Sequence, residues 1–122
     1  MLDEAFTALA AAGGTAVVTA VGTDTWGGMR QAVARWFGRG DTVRERAEAE
    51  RLEQTAALLR ATEGTAGAEQ ERTRQSAWWQ SRIESALEEL DEAERAWAAV
   101  RLRAVLTEHA RPDGTATRPR SA

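Results

Sequence analysis

Apolar residues recur along the first half of this chain every three or four positions, which is the period of an α-helix. We predict a first helix over residues 3–21, a second that ends at about Phe37, and a third that reaches about Thr62. The apolar stripe of the first helix comprises Leu2, Phe6, Leu9, Gly13, Val17 and Val21. The stripe of the second comprises Trp26, Met29, Val33, Trp36 and Phe37. The paired glycines at 13 and 14 would let a neighbouring helix approach the first one closely.

Glycines and short polar side chains separate these three helices. After Gly22, the side chain of Thr23 or Asp24 can accept a free amide in the first turn of the second helix. Asp41 or Thr42 can do the same for the third helix. These signals predict two sharp breaks in the chain.

The segment Arg39-Gly40-Asp41 spells a tripeptide that is known as an integrin ligand. In a chain rich in all three residues, we interpret it as a helix end followed by a helix cap. The third helix then has an apolar stripe of Ala49, Leu52, Ala56 and Leu59. Its other face carries alternating charges, such as Glu48 and Arg51 one turn apart, and is predicted to be solvated.

The second half of the chain predicts two further helices beyond a loop at residues 63–67. The fourth begins at about Ala68, and its apolar face comprises Trp79, Ile83, Ala86, Leu87 and Leu90. Asp91 and Glu94 fit a capping box, so we place a break near Asp91 and a fifth helix to about His109. That helix carries Ala93, Trp97, Val100 and Ala104, widened by Leu102, Val105 and Leu106. A helix so widely apolar is typically buried on two sides.

These elements predict an all-α protein, a single bundle of four or five helices. A chain of 122 residues is long enough for one domain with a real core. We place the bundle domain at residues 1–110 and a flexible tail at residues 111–122, where Pro, Gly, Ser and Arg accumulate. The weak point of the fold prediction is the stretch Thr15–Val21, because its β-branched residues also suit a strand.

Several segments of this sequence resemble a group of small, Ala-rich helical proteins from high-GC actinobacterial genomes. The segments are Leu9-Ala-Ala-Ala-Gly-Gly-Thr-Ala-Val-Val18, Thr23-Asp-Thr-Trp26, Val33-Ala-Arg-Trp-Phe37, Trp79-Gln-Ser-Arg-Ile83 and Leu102-Arg-Ala-Val-Leu106. The resemblance covers most of the chain up to the tail. It implies a helical fold and a cytoplasmic origin, and it implies no activity.

The uncharged run at residues 5–23 has nearly the length of a membrane-spanning helix, so a membrane-inserting protein is an alternative. Four Thr and three Gly residues make the run only mildly apolar, and Asp3 and Glu4 precede it. We therefore favour a helix of a soluble, cytoplasmic bundle. The formal net charge of −3 gives no electrostatic case for a nucleic-acid partner.

The composition argues against an enzyme. The chain has no Lys, Cys, Tyr or Asn, and its single imidazole is His109, so no nucleophile, base and orienting group can be named together. The acidic residues between Glu84 and Glu94 are spread around their helix and lack the Glu-x-x-His pair of helical carboxylate metal sites. We predict no catalytic residue, no metal site and no cofactor.

Five Trp residues are the remaining functional signal. Trp79 and Trp97 lie on apolar stripes and are predicted to be core. Trp78 diverges from Trp79 by about 100° around the helix and lies in line with Arg82, so we predict an exposed ring. Trp26 is a second candidate because Gly27 and Gly28 leave its neighbourhood open. Trp78, Trp26 and Arg82 are our candidate protein interface.

The most consistent function is a non-enzymatic helical interaction module. Such a module either self-associates or docks on a larger protein as an accessory subunit.

Overall fold

Five α-helices and no strand make up residues 2–109, the part of the chain that the computed structural model describes. The helices are α1 (Glu4–Ala20), α2 (Trp26–Gly38), α3 (Thr42–Thr62), α4 (Ala68–Glu88) and α5 (Glu92–His109). The all-α prediction is confirmed, and the Val-rich end of α1 is helical. The predicted tail, residues 111–122, lies outside the described residues.

Acidic side chains accept amide hydrogen bonds at the start of three helices, and two of these caps, Asp41 and Asp91, are predicted from the sequence. Asp3 accepts a hydrogen bond from the Phe6 amide at the start of α1, at 3.1 Å. Asp41 accepts from two amides at the start of α3, and Asp91 accepts from the Glu94 amide at 2.8 Å. Each contact satisfies an amide that has no partner inside its helix. The predicted break near Asp91 is therefore confirmed.

The start of α2 differs from the prediction of a side-chain cap. Its N-cap residue is Thr25, which makes no capping hydrogen bond from its side chain. The Thr23 hydroxyl instead donates to the Ala20 carbonyl at 2.7 Å and so helps to end α1. Gly22 adopts a positive φ of 92° between them.

The turn between α2 and α3 is the helix end and helix cap that the sequence predicts. The backbone of Arg39 is in the left-handed region, with φ of 51°, and its amide donates to the Arg35 carbonyl. Gly40 follows with φ of 89°, and Asp41 caps α3. The tripeptide Arg39-Gly40-Asp41 thus forms the end of α2 and the cap of α3.

The helices form an up-and-down bundle whose neighbours do not all follow chain order. α1 packs chiefly against α4, whereas α2 packs against both α3 and α5. The helices α2 and α5 are antiparallel, because Gly28 lies against His109 at one end and the Trp36 indole donates to the Ala98 carbonyl at the other. Further contacts join α1 to α5 and α3 to α4. The five helices therefore close a ring around one core.

Two glycines set the distance between α1 and α4. A Cβ atom added to Gly14 would lie 2.3 Å from the Ser76 carbonyl oxygen, and one added to Gly13 would lie 2.6 Å from Cδ1 of Ile83. The Ser76 oxygen belongs to the backbone of α4 and cannot move aside for a side chain at Gly14, whereas the Ile83 methyl group is the end of a side chain. The predicted close approach at the glycine pair is confirmed.

Tryptophan supplies much of the bulk of the core, which otherwise has few large aliphatic side chains. Trp26, Trp36, Phe37 and Trp79 are all buried. The most fully buried of the other large side chains are Met29, Leu52, Ile83, Leu87, Leu102, Val17 and Val33. Aromatic rings at these positions bury large apolar areas with few side chains.

The uncharged run of the N-terminal half is part of this core. Eight of the seventeen residues of α1 are buried, and the threonines at 7, 15 and 19 are exposed. Over residues 2–109, none of the helices combines the length and the apolar character needed to cross a membrane.

We expect Gly14→Ala to lower the free energy of unfolding by roughly 1 to 3 kcal/mol, because the added methyl group meets backbone of α4. Gly27→Ala is the matched control, since nothing lies within 4 Å of its added Cβ. Alanine in that helical position should raise stability by up to about 1 kcal/mol. Urea denaturation of both variants measures the difference. Equal stability of the two would contradict the packing described for α1 and α4.

Candidate functional site

Trp78 and Arg82 lie one turn apart on α4 and form a stacked pair. The Trp78 side chain is 45% exposed, and the Arg82 guanidinium lies 5.3 Å from its ring centroid. The sequence prediction that Trp78 leaves the buried stripe and lies in line with Arg82 is confirmed. The ring of Trp78 also meets the edge of Trp79, with centroids 5.0 Å apart.

The Arg82 guanidinium sits among three aromatic rings and a carboxylate. The Phe37 and Trp79 centroids lie 5.2 Å and 5.5 Å from its central carbon. Its Nη2 donates to Oε2 of Glu48 on α3. A planar, weakly hydrated cation is well suited to this mixture of ring faces and carboxylate. Arg82 therefore links α2, α3 and α4 and supports the exposed ring of Trp78.

Glu48 is buried, which corrects the prediction of a fully solvated outer face on α3. Only 6% of the residue is exposed. Arg82 reaches across from α4 to pair with it, and Arg51 lies 3.6 Å from the same oxygen, Oε2. Its other oxygen, Oε1, has no hydrogen-bond partner among the described residues. Two guanidinium groups compensate the loss of water around this carboxylate.

Trp79 is the fully buried member of the pair, as the sequence predicts. Its indole N–H donates to the Thr55 hydroxyl at 2.8 Å, and Thr55 donates to Oε1 of Gln75 at 3.0 Å. A buried indole needs such an acceptor, because an unpaired N–H is costly in an apolar core.

Trp26 is buried, so the prediction of a second exposed ring is wrong. It shares its helix face with Met29 and Val33, which both point into the core. The neighbouring glycines open space beside the ring without turning it outward. Its N–H donates to Oε2 of Glu53 on α3 at 3.3 Å. It also lies eleven residues, or about 16 Å along α2, from the Phe37 ring that contacts Arg82. The structure therefore brings Trp78 and Arg82 together and leaves Trp26 elsewhere.

Glu53 receives two hydrogen bonds at the Trp26 end of α2. Arg30 pairs with the oxygen that accepts from Trp26. The hydrogen bond from Arg30 holds the pKa of the Glu53 carboxyl below its ordinary value, and the Trp26 N–H adds to the effect. This pair fastens the start of α2 to the middle of α3.

Trp97 is 64% exposed, so the prediction that it belongs to the core is wrong. The helix α5 has two apolar faces, and the bundle uses the one that contains Ala98, Ala99, Leu102, Val105 and Leu106. The opposite face contains exposed Ala93, Trp97, Val100 and Ala104, which we call the outer stripe. These four residues fall within about 60° of the helix circumference. Nothing within residues 2–109 covers the outer stripe.

A groove of about 240 Å³ borders the outer stripe where α5 meets the ends of α2 and α4. Trp36, Phe37 and Leu90 contribute apolar walls, and the Trp97 ring forms one edge. The Trp36 N–H donates to the Ala98 carbonyl at 2.9 Å and so fixes α5 against α2. Glu94 and Arg101, both exposed, lie at the rim.

Two exposed tryptophans, Trp78 and Trp97, stand out on this surface. Within residues 2–109, no three His, Asp or Glu side chains gather closely enough to hold a metal ion. His109 ends α5 and packs its ring against Gly28. The chemically distinctive groups are the two exposed tryptophans. Sequence reasoning found Trp78 and missed Trp97, although the spacing of the outer stripe was readable.

Comparison of this chain with protein-family models, with curated proteins and with solved structures found no match. The resemblance to the actinobacterial group therefore stays a prediction.

We expect Trp79→Ala to lower the free energy of unfolding by about 3 to 5 kcal/mol, because it leaves a cavity at the centre of the core. Trp78→Ala should lower it by only about 1 kcal/mol, mainly through the lost contact with Arg82. Chemical denaturation of the two single variants compares these values directly. If Trp78→Ala destabilises the protein as severely as Trp79→Ala, both rings are core.

We expect a carbon-detected NMR titration to give Glu53 a pKa below its ordinary value of 4.5. In Arg30→Ala the pKa should rise, because the largest cause of the shift is removed. In Trp26→Phe, which removes the indole donor and keeps a smaller aromatic ring, the rise should be smaller. A depressed pKa stabilises the fold above the ordinary value, and that stabilisation is lost as the pH falls through the folded-state pKa. An unchanged pKa in Arg30→Ala would contradict this assignment.

Proposed function

We propose that this protein is a non-enzymatic helical interaction module, cytoplasmic in location, that acts by binding a protein chain. The observation that carries the proposal is the outer stripe of α5. Its two large side chains, Trp97 and Val100, are 64% and 51% exposed. Contiguous apolar residues on one face of a helix are a common basis of helix pairing.

Trp78 gives the proposal a second exposed aromatic. Exposed tryptophans are enriched among the residues that contribute most to protein binding. The Trp78 ring is held by Trp79 and Arg82, and Trp97 stands on a helix that Trp36 fastens to α2. The Trp78 ring, which its neighbours hold in place, loses little freedom on binding, and this favours affinity.

The N-terminal end of α5, where the outer stripe begins, is also anchored to α4. Arg95 donates from Nε to the Leu87 carbonyl at 2.9 Å and from Nη2 to the Leu90 carbonyl at 2.8 Å. Arg95 thus adds two side-chain hydrogen bonds to carbonyls at the junction of α4 and α5, where the Leu87 carbonyl also accepts from the Leu90 amide. A partner would therefore meet a preformed surface at this corner of the bundle.

Insertion of residues 5–23 into a membrane has less support as an alternative function. The buried face of α1 packs against α4 through Gly13 and Gly14 and also contacts α5. To enter a bilayer, α1 would have to leave the core and expose α4. No observation of the described residues favours that rearrangement over binding through the tryptophan faces.

We test the proposed function by placing a photo-crosslinking phenylalanine derivative at position 97, and separately at position 78, in cells that produce the protein. We expect each position to give a covalent adduct with a protein that mass spectrometry identifies, either a second copy or another chain. Position 50 is the matched control, because Glu50 is exposed on the polar outer side of α3. The proposal fails if neither tryptophan position gives more adduct than position 50.

A further inference from the structure

The charges beside the outer stripe suggest what covers it. Ala93, Trp97, Val100 and Ala104 follow one another at spacings of four, three and four, the pattern of a helix that pairs lengthwise with another helix. Glu94 and Arg101 lie seven positions apart along one flank of this stripe, and both are exposed. Neither of them forms an ion pair within residues 2–109.

We propose that the outer stripe binds the outer stripe of a second copy of this chain, with the two α5 helices antiparallel. This inference rests on the proposed function and names the partner of the same surface. In this arrangement Trp97 of each copy packs against Val100 of the other, and Ala93 faces Ala104. Large side chains thus meet at the centre, and small ones let the helices approach at both ends.

Charge complementarity selects the antiparallel direction. When two helices pair antiparallel, the side chains along one flank of the stripe on the first helix lie beside those along the same flank on the second helix. Glu94 of each copy then lies beside Arg101 of the other, which gives two opposite-charge pairs related by a twofold axis. The second flank carries Glu92, Ala96 and Arg103, and the same axis brings Glu92 of one copy toward Arg103 of the other, so no like charges meet.

The size of the contact predicts weak association. From Ala93 to Ala104 the stripe extends about 16 Å along the helix. A helix pair of this length is smaller than a standard stable interface, so the dimer should form and dissociate with concentration. The charge pairs lie at the rim, where salt screens them.

The test is a charge swap in the full-length chain, followed by sedimentation equilibrium between about 1 and 100 µM protein at low salt. Glu94→Arg and Arg101→Glu each place two like-charge pairs in the proposed dimer. Each variant alone should raise the dissociation constant at least about tenfold. An equimolar mixture of the two variants should recover the dimer, because every pair is then of opposite charge.

Two variants on the outer side of α3 serve as matched controls. Glu50→Arg makes the same charge change as Glu94→Arg, and Arg46→Glu matches Arg101→Glu. Glu50 and Arg46 are both exposed. Both should leave the dissociation constant unchanged. Circular dichroism and thermal unfolding of all four variants confirm that each is folded.

Three outcomes would overturn the proposal. If the mixture stays monomeric while the single variants also do, the two residues do not pair across a dimer. If Arg101→Glu weakens association and Glu94→Arg does not, the helices pair in another direction. If the unaltered protein stays monomeric at about 100 µM while position 97 crosslinks to a different protein, the second copy is the wrong occupant. In that last case the proposed interaction function stands.

Discussion

The buried indole of Trp79 is the constraint on which the other parts of the bundle depend. It is fully buried, and its N–H has to find an acceptor inside the core. Thr55 provides that acceptor from α3, and the Phe37 ring meets the indole from α2 with centroids 5.7 Å apart. The positions of α2 and α3 relative to α4 follow from these contacts. Outside them, Arg82 covers the rings and pairs with Glu48.

The two exposed tryptophans are consequences of how the bundle is built around that ring. The exposure of Trp78 follows from the geometry of α4, because a residue next to a buried one in a helix points about 100° away from it. The Trp78 ring remains half covered only because Trp79 and Arg82 lie beside it. The exposure of Trp97 follows from the rotation of α5, which the hydrogen bond from Trp36 to Ala98 helps to set. Once that bond and Leu102 fix the rotation of α5, Trp97 has to point outward.

Helix boundaries were predictable because local chemistry determines them. Asp3, Asp41 and Asp91 each accept amides at a helix start, and Arg39 and Gly40 supply the left-handed turn between α2 and α3. The close contact at Gly14 was also predictable, because paired glycines on an apolar stripe have few other uses. Core membership of Trp79 followed from its stripe. All of these features depend on residues close together in the sequence.

The errors arose where rotation of a helix depends on distant residues. The glycines beside Trp26 predict an exposed ring. Its own apolar stripe, which it shares with Met29 and Val33, turns the ring toward the core. In α5 the pattern fits two faces, and packing of Leu102 and its neighbours against the bundle, together with the Trp36 hydrogen bond, selects between them. The wide apolar surface of α5 predicts a helix that is buried on two sides, and within residues 2–109 that prediction is wrong. Because the bundle buries only one face, the excess is on the outside, where Glu94 and Arg101 flank it. Helix pairing requires an apolar stripe, and opposite charges along its flank favour one direction of pairing. The surface that the bundle leaves uncovered is therefore also the one best suited to bind a second helix.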